Sequence, residues 1–282
     1  MHIGYFGFNN GPAGAPGPMR RILGALDDCG FESAWTGEHV VLIDPQKPPS
    51  PVPPEFPMLD TIAALAFAAG ITRRIKLGSG IILLAQRNPV VVAKELTGID
   101  VLSEGRLIFG VGVGYVEQEF QTLGIPYAER GARASEHIEV IRALWTQDRP
   151  AFDGEFTSFS GIQQKPMPVQ QPHPPIVVGG MSKAAHRRAL AHGNGWYGFA
   201  LSVEDTAEAI ASLRTLQAEV ERPTGLGTLE ISVTPRGPVS ADDFKRFEDL
   251  GVDRLILMPG AAGADDIVRF IEETAKERGL PI

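Results

Sequence analysis

Short apolar runs alternate with longer segments whose apolar residues recur at helical spacing, from one end of the chain to the other. Nearly continuous apolar runs are typical of parallel strands buried on both faces, and the helical spacing indicates helices between them. The predicted strands are, in chain order, HIGYFGF, ESAWTG, IKLGSGIILL, RLIFGVGV, PPIVVGG, GWYGFAL, LEISVTP and DRLILMP. A helical pattern follows each strand, so the sequence predicts eight strand–helix units.

Eight such units predict an α/β fold, a single closed (β/α)8 TIM barrel that spans residues 1–282. An open doubly wound sheet is the alternative, but it usually has fewer strands and a nucleotide-binding glycine turn in its first unit. The first turn here reads NNGPAGAPGP and lacks that fingerprint. In a TIM barrel the active site lies at the carboxyl ends of the strands, so candidate residues are sought there.

Two proline-rich segments interrupt the alternation. Residues 150–174 predict a short antiparallel hairpin around Thr157–Ile162 and an extended return, inserted over one end of the core. The loop after the second strand, LIDPQKPPSPVPPEFP, lies at the carboxyl end of the barrel. Its residues 44–57 form either a lid or an elaborated surface loop, and we favour the lid.

The stretch GRLIFGVGVGY carries glycines at every second position from Gly110 to Gly114. A dinucleotide-binding turn would need a glycine where Tyr115 stands, so we favour a buried strand whose bare backbone a flat ligand approaches. Gly78 and Gly80 thin the preceding strand in the same way. We expect the glycines of the two strands to lie at the same height and to form a flat apolar wall.

His39 follows the second strand in AWTGEHV. At the carboxyl end of a barrel a histidine can bond to a cofactor ring or exchange a proton with a substrate. A structural imidazole held by a loop carbonyl explains the residue equally well, and the sequence leaves both interpretations open. Glu38 could orient the ring, although we favour the interpretation that Glu38 is an exposed loop carboxylate.

The stretch PIVVGGMSKAA places Gly179, Gly180, Met181 and Ser182 between a strand and a helix. Exposed amides at a helix start can bind a phosphate, and TIM barrels often hold phosphate with their later loops. A tight turn with Ser182 as an ordinary helix cap is the alternative, and on these residues alone it is the stronger one.

Composition excludes several classes of function. Of the 282 residues 43% are hydrophobic and 21% charged, as in soluble globular proteins, and the net charge of −8 gives no general attraction for nucleic acid or an anionic membrane. We see neither a secretory leader nor a bilayer-spanning run, so a cytoplasmic location is expected. The single cysteine, Cys29, excludes an internal disulfide, and the six histidines show no metal-ligand spacing.

The run RNPVVVAKELTGIDVLSEGRLIFGVGVGYVEQEFQTLGIPYAERGARASEHIEVIRALW, with FDGEFTSFSG and PHPPIVVGG after it, resembles the luciferase-like monooxygenase superfamily. More narrowly it resembles an actinobacterial branch that uses the deazaflavin coenzyme F-420. The residues that carry the likeness are Arg87, Pro89, Lys94, Asp100, Ser103, Gly105, Arg106, Gly110, Gly112, Gly114, Gly179 and Gly180.

The resemblance implies an oxidoreductase that transfers a hydride between F-420 and a small organic substrate, with the ring at the carboxyl end of the barrel. It places a non-proline cis peptide at Gly80–Ile81 and His39 near the reacting ring. In sugar-phosphate dehydrogenases of this group a glutamate donates a proton from the position of Tyr115, so the tyrosine argues against that role. The implied catalytic residues are His39 and Tyr115, and the implied cofactor-binding residues are Gly80, Ile81, Gly112, Val113, Gly114, Gly179, Gly180, Met181 and Ser182.

Two alternatives to F-420 chemistry remain open: an FMN-dependent monooxygenase, and a flavin- or deazaflavin-binding barrel without catalysis. Val113 replaces a hydroxyl residue that touches the cofactor in some relatives. The anionic tail of F-420 would prefer cations such as Lys183 and Arg187, although solvated helix positions are the favoured reading for both. The expected partners are a small-molecule substrate and, on resemblance alone, a second copy of the chain in a homodimer.

Overall fold

A computed structural model describes residues 1–260 and 263–280 of the chain. Eight parallel strands close into a barrel, in which each strand pairs with the next and the first pairs with the last. The predicted TIM barrel is therefore confirmed. The strands are β1 (His2–Phe6), β2 (Ser33–Thr36), β3 (Lys76–Ser79, resuming at Ile82–Leu83), β4 (Leu107–Gly112), β5 (Ile176–Gly179), β6 (Gly195–Leu201), β7 (Glu230–Pro235) and β8 (Arg254–Leu257).

Helices surround the barrel and connect its strands. In the described part of the chain they are α1 (Pro16–Asp28), α2 (Thr61–Ile71), α3 (Pro89–Leu102), α4 (Glu117–Thr122), α5 (Arg130–Thr146), α6 (Lys183–His192), α7 (Val203–Gln217), α8 (Ala241–Asp249) and α9 (Ala264–Arg278). The sequence pair Asn88–Pro89 predicts a helix start, and Asn88 does cap α3 by accepting from two backbone amides, with Pro89 as the first residue of the helix. Across the described residues no helix is both long and apolar enough to cross a bilayer.

The inside of the barrel is filled mainly by aromatic and β-branched side chains at alternate strand positions. Phe6, Trp35, Ile108, Val177, Tyr197 and Ile256 form this inner cluster, while the intervening strand residues pack against the helices. Trp35 is fully buried, and a Cβ at Gly78 would lie 2.4 Å from its ring. Gly78 therefore provides the room in which the indole lies.

The amino-terminal end of the barrel is closed by a buried ion cluster. The Arg254 guanidinium donates to both carboxylate oxygens of Glu32 at 2.7 and 2.8 Å and also to Glu230. Burial opposes ionisation of Glu32, but the hydrogen bonds and charge of Arg254 outweigh it and lower the pKa of Glu32 to about 2. These hydrogen-bonded ion pairs thus join the start of β8 to the start of β7 and to the residue before β2.

The insertion between α5 and β5 contains the hairpin, but not where it was predicted. Its strands are Phe152–Asp153 and Ser158–Phe159, so the prediction around Thr157–Ile162 was displaced toward the carboxyl side. The return segment is fastened by Asp100, whose carboxylate accepts from the backbone amides of residues 169 and 170. Gln170 also donates to the Leu107 carbonyl at the start of β4, so the insertion covers the amino-terminal end of the barrel.

Candidate active site

His39 lies in the loop after β2 and is held by a carboxylate from α4. Its Nδ1 is 3.0 Å from Oε2 of Glu119, whose side chain is completely buried. An ionised carboxylate can only accept, so Nδ1 carries the hydrogen, and Nε2 of the neutral imidazole is then an acceptor. The other Glu119 oxygen accepts from the backbone amides of Val40 and Val41 at 2.8 and 3.4 Å. Glu119 thus fixes both the ring and the loop that carries it.

Tyr115 lies beside His39, so the two predicted catalytic residues come together. The phenol oxygen is 3.4 Å from His39 Nε2, and the two rings meet edge to face with centroids 5.6 Å apart. Burial and the negative charge of Glu119 raise the pKa of Tyr115 above its usual value. The phenol is therefore a neutral donor at physiological pH, at the end of a chain that runs from Tyr115 through His39 to Glu119.

Glu38 has a different role from the exposed carboxylate that the sequence favoured. It is buried, accepts from the Leu83 amide at 2.9 Å, and pairs with Arg87, which also bonds to Asp60. Burial raises the pKa of Glu38, and the charge of Arg87 opposes that shift. The expectation of an exposed Glu38 was wrong, because this carboxylate ties the His39 loop to the second half of β3.

A cis peptide at Gly80–Ile81 interrupts β3, as the resemblance implied. Ser79 bridges the interruption, since its Oγ accepts from the Gly110 amide and donates to the Gly110 carbonyl, both at 2.8 Å. A Cβ at Gly112 would lie 2.1 Å from Cδ1 of Ile81, and one at Gly179 would lie 2.6 Å from the same atom. These glycines therefore accommodate the Ile81 side chain.

The expected flat wall of glycines from two neighbouring strands was wrong. Gly78 pairs with Ile108, whereas Gly112 pairs with Leu83, so the glycines of β3 and β4 lie at different heights. The strand interruption causes this offset, because it inserts residues between the two halves of β3. A ring ligand would meet the side chain of Ile81 in front of these glycines and not their bare backbone.

The turn after β4 packs against a small apolar cluster. Val113 packs against the small cluster of Ala85, Phe120 and Ala134. Gly114 has a φ of +80°, and a Cβ there would lie 2.8 Å from the Phe120 ring. This geometry requires a glycine and positions Tyr115 beside His39.

The loop between β5 and α6 is exposed from Gly180 through Ser182. Ser182 caps α6 by accepting from the Ala185 amide at 3.1 Å, so the cap alternative is confirmed. The cap bonds one first-turn amide, and others remain available to an anion at this end. Arg187 is paired with Glu219, whereas Lys183 is exposed.

Several exposed apolar side chains lie at or just after strand ends at the carboxyl end of the barrel, and we call them the collar. The collar consists of Val40, Val41, Met181, Phe199 and Met258, each more than one third exposed. The Phe199 ring lies 5.0 Å from that of Phe6 in the inner cluster, which places it at the floor of the mouth. The collar gives a flat ring an apolar surface, while Tyr115 and His39 offer a hydrogen-bonding edge.

Sequence reasoning missed Glu119, Phe199 and Met258. Glu119 lies in a helix of six residues, which is too short to give a periodic signal. Phe199 and Met258 stand at or just after strand ends, where an apolar residue cannot be distinguished from a core position by pattern. The motif EQEF directly after the glycine strand was the available signal for Glu119.

Comparisons with known proteins agree with this architecture. Residues 1–246 match the family model described as luciferase-like monooxygenase. An uncharacterized protein of Mycobacterium tuberculosis is 29% identical over 284 residues, covering 98% of each chain. The FMNH(2)-dependent dimethylsulfone monooxygenase of Pseudomonas putida is 34% identical over 134 residues, 46% of this chain and 37% of that protein. Among solved structures, an F-420-dependent secondary alcohol dehydrogenase superposes with a TM-score of 0.77 at 16% identity, covering 96% of this chain and 97% of that one.

Proposed function

Because the chain belongs to the luciferase-like monooxygenase family, we propose that it is an oxidoreductase that transfers a hydride between coenzyme F-420 and a small organic substrate. The observation that carries the proposal is the hydrogen-bonded chain of Tyr115, His39 and Glu119 beside an apolar collar. A neutral phenol next to an apolar ring surface suits proton transfer coupled to hydride transfer. The similar fold of an F-420-dependent alcohol dehydrogenase supports it.

The described residues fit a deazaflavin. The Ile81 side chain, which covers Gly112, would lie against the ring, with Met181 and Phe199 as apolar contacts. The start of α6, with Ser182 and Lys183, would hold the anionic tail through backbone amides and a free positive charge. When bound, the coenzyme supplies or accepts the hydride, and the protein supplies alignment and a dry environment.

The side chains of the site manage the proton. In oxidation the Tyr115 oxygen takes the hydrogen of the substrate hydroxyl as Tyr115 passes its own hydrogen to Nε2 of His39. In reduction both transfers run in reverse, and the Tyr115 hydrogen goes to the substrate carbonyl oxygen. Nε2 of His39 thus exchanges the proton with the phenol, and the Glu119 carboxylate accepts from Nδ1 throughout. Each of these roles follows from the donor and acceptor order of the chain.

An FMN-dependent monooxygenase is the second candidate, supported by the similarity to the FMNH(2)-dependent dimethylsulfone monooxygenase. The same collar would then exclude water from the bound flavin. A cofactor-binding barrel without catalysis is the third possibility, and it predicts tight binding without turnover. We further propose that the protein acts in the cytoplasm and forms a homodimer, which sedimentation at equilibrium would test.

Parallel titration of the purified protein with F-420 and with FMN tests the choice of cofactor, followed by fluorescence or calorimetry. Submicromolar binding of F-420, with FMN at least about tenfold weaker, is the expected result. Preference for FMN, together with oxygen-dependent product formation, would replace the proposal with the monooxygenase. Binding of neither cofactor would refute both.

Replacing His39 by alanine should lower hydride transfer by about a hundredfold or more, because positioned proton-transfer groups typically contribute 10²–10⁴-fold. Affinity for the cofactor should change little, since the collar and the start of α6 remain. Stopped-flow absorbance of F-420 at saturating substrate measures the rate, and His2→Ala, at an exposed position at the other end of β1, is the control. A rate within a few-fold of the wild type would remove His39 from the mechanism.

A further inference from the structure

The collar brings apolar side chains to several points around the mouth of the barrel. Val40 and Val41 extend the His39 loop, Met181 follows β5, Phe199 ends the inner face of β6, and Met258 follows β8. These positions belong to four separate strand–loop junctions. The surface available to a substrate beside the phenol is therefore hydrocarbon, thioether and aromatic ring.

Two arginines near this mouth are already engaged, and Lys183 at the start of α6 is the cation proposed to bind the coenzyme tail. Arg87 is bound by Glu38 and Asp60, and Arg236, just after β7, is bound by Asp205 and the Ala200 carbonyl. The loop of residues 40–60 contains three acidic residues and one lysine, and the whole chain carries a net charge of −8. A substrate carboxylate or phosphate at the collar would lose its hydration without gaining a counter-ion, which is costly.

Tyr115 and His39 nevertheless offer a specific site for one uncharged oxygen. The phenol hydrogen can be donated to a carbonyl, and burial together with Glu119 keeps the phenol protonated. Hydrogen bonding to a single neutral oxygen needs no further cation at the collar. The single polar oxygen of the substrate is thus hydrogen-bonded at one point, and the rest of the substrate contacts apolar side chains.

We propose that the substrates are neutral carbonyl compounds and the corresponding secondary alcohols, with apolar substituents on the reacting carbon, and that anionic compounds are excluded. This inference rests on the proposed hydride transfer. In reduction, the carbonyl carbon gains the hydride from the reduced coenzyme and its oxygen gains a proton from Tyr115. One two-electron oxidation of the coenzyme thus balances one reduction of the carbonyl.

The first test compares matched neutral and anionic compounds of equal chain length. Rates of reduced F-420 oxidation with 2-heptanone and with 6-oxoheptanoate should differ, with kcat/KM at least about tenfold higher for the ketone. Calorimetric titration of the protein loaded with reduced F-420 by 2-heptanol and by heptanoate gives a readout that is independent of turnover, because the reduced coenzyme cannot accept a hydride from the alcohol. The alcohol should bind at least about tenfold more tightly.

The two experiments separate failure of the substrate class from failure of hydride transfer. Equal or tighter binding of heptanoate, or a higher kcat/KM for the oxo acid, overturns the substrate class even where hydride transfer is observed. Preferential binding of the alcohol without any oxidation of the coenzyme supports the class and counts against the proposed hydride transfer.

Introducing a cation at the collar provides a matched variant pair. Val40→Lys places an ammonium in the collar, whereas Val169→Lys places one at a similarly exposed valine at the opposite end of the barrel. Val40→Lys should move the preference toward the oxo acid by at least about tenfold, and Val169→Lys should leave it unchanged. An equal shift in both variants, or none in Val40→Lys, would show that the collar does not set the charge preference.

Discussion

At the scale of single residues, the site depends on side chains whose hydrogen bonds to water are replaced by hydrogen bonds to other protein groups. The Glu119 carboxylate is completely buried and accepts from an imidazole and two backbone amides, which replaces much of its lost hydration. Hydrogen bonds to charged groups contribute about 1.5–3 kcal/mol each. The orientation of His39 therefore has a substantial energetic basis within the described residues.

Glu119→Gln should reduce hydride transfer by roughly tenfold to a hundredfold, since losing one charge-assisted bond of that strength weakens the fixed orientation of His39. A carboxamide can present its amino group to Nδ1 and favour the wrong tautomer. Single-turnover absorbance at saturating F-420 measures the rate, and cofactor affinity should remain within a few-fold. The matched control is Glu117→Gln, an exposed residue of the same helix. Equal rates in the two variants would contradict the positioning role.

Tyr115 should titrate above its ordinary pKa of 10.0, because burial and the charge of Glu119 both disfavour the phenolate. Alkaline difference absorbance of the wild type against Tyr115→Phe isolates this phenol from the other tyrosines. The phenol signal that the variant lacks should therefore appear above pH 10. A titration midpoint below 10 would show that burial and the charge of Glu119 do not disfavour the phenolate.

At the scale of elements, the strand interruption explains what the glycine pattern could and could not reveal. Alternating glycines on β4 correctly indicated a strand with a bare inner face. The space in front of these glycines is filled by the Ile81 side chain. This side chain comes from a neighbouring strand whose irregular path no periodic pattern describes. The glycines were identified from sequence for this reason, whereas the wall they were expected to form was not.

The fit of Ile81 between β4 and β5 predicts coupled stability effects. Gly112→Ala should destabilise the protein by about 1–3 kcal/mol through overpacking, because the new methyl would lie 2.1 Å from Cδ1. Ile81→Val removes that atom, so the double variant should be more stable than the sum of the two single changes implies. Urea unfolding measures all three. Gly110→Ala is the control, since its methyl would meet the Ser79 carbonyl at 1.8 Å and Ile81→Val should not rescue it.

The limits of prediction at this scale are physical. The eight strand–helix units, the Asn88 cap and the inward helical face of Ile138, Ile141 and Trp145 follow local patterns, and all three side chains of that face are buried. Glu38 and Glu119 follow none, because their partners lie 45 and 80 residues away in sequence. Contacts between residues that are distant in sequence decide which of the two acidic residues orients His39. A local sequence pattern carries no information about such contacts.

At the scale of the whole molecule, buried histidines make stability depend on pH. Burial lowers the pKa of His137, His173 and His186 below the ordinary value of 6.5. The unfolded chain therefore binds more protons than the folded one as pH falls through 6.5. This contribution to the free energy of unfolding is complete above pH 6.5 and is lost as the pH falls below that value.

The free energy of unfolding in urea should consequently fall between pH 7.5 and pH 5.5, a range that lies above the titration of ordinary carboxyls. Replacing His186 with glutamine should make the fall shallower, because one group no longer titrates in the unfolded chain. A stability that is constant over this range, or that rises on acidification, would show that the buried imidazoles are protonated in the folded state.

The ion cluster of Arg254 and the insertion lie at one pole of the barrel, and His39, Tyr115 and the collar lie at the other. The aromatic layer around Trp35 stands between them. The two poles can therefore be altered independently: substitution of the collar side chains would change what the enzyme accepts, while closure of the barrel remains secured at the far end. For a directed-evolution programme, this makes the collar side chains the natural sites of diversity, with His39 and Tyr115 retained, and the Arg254 pole the part to leave untouched.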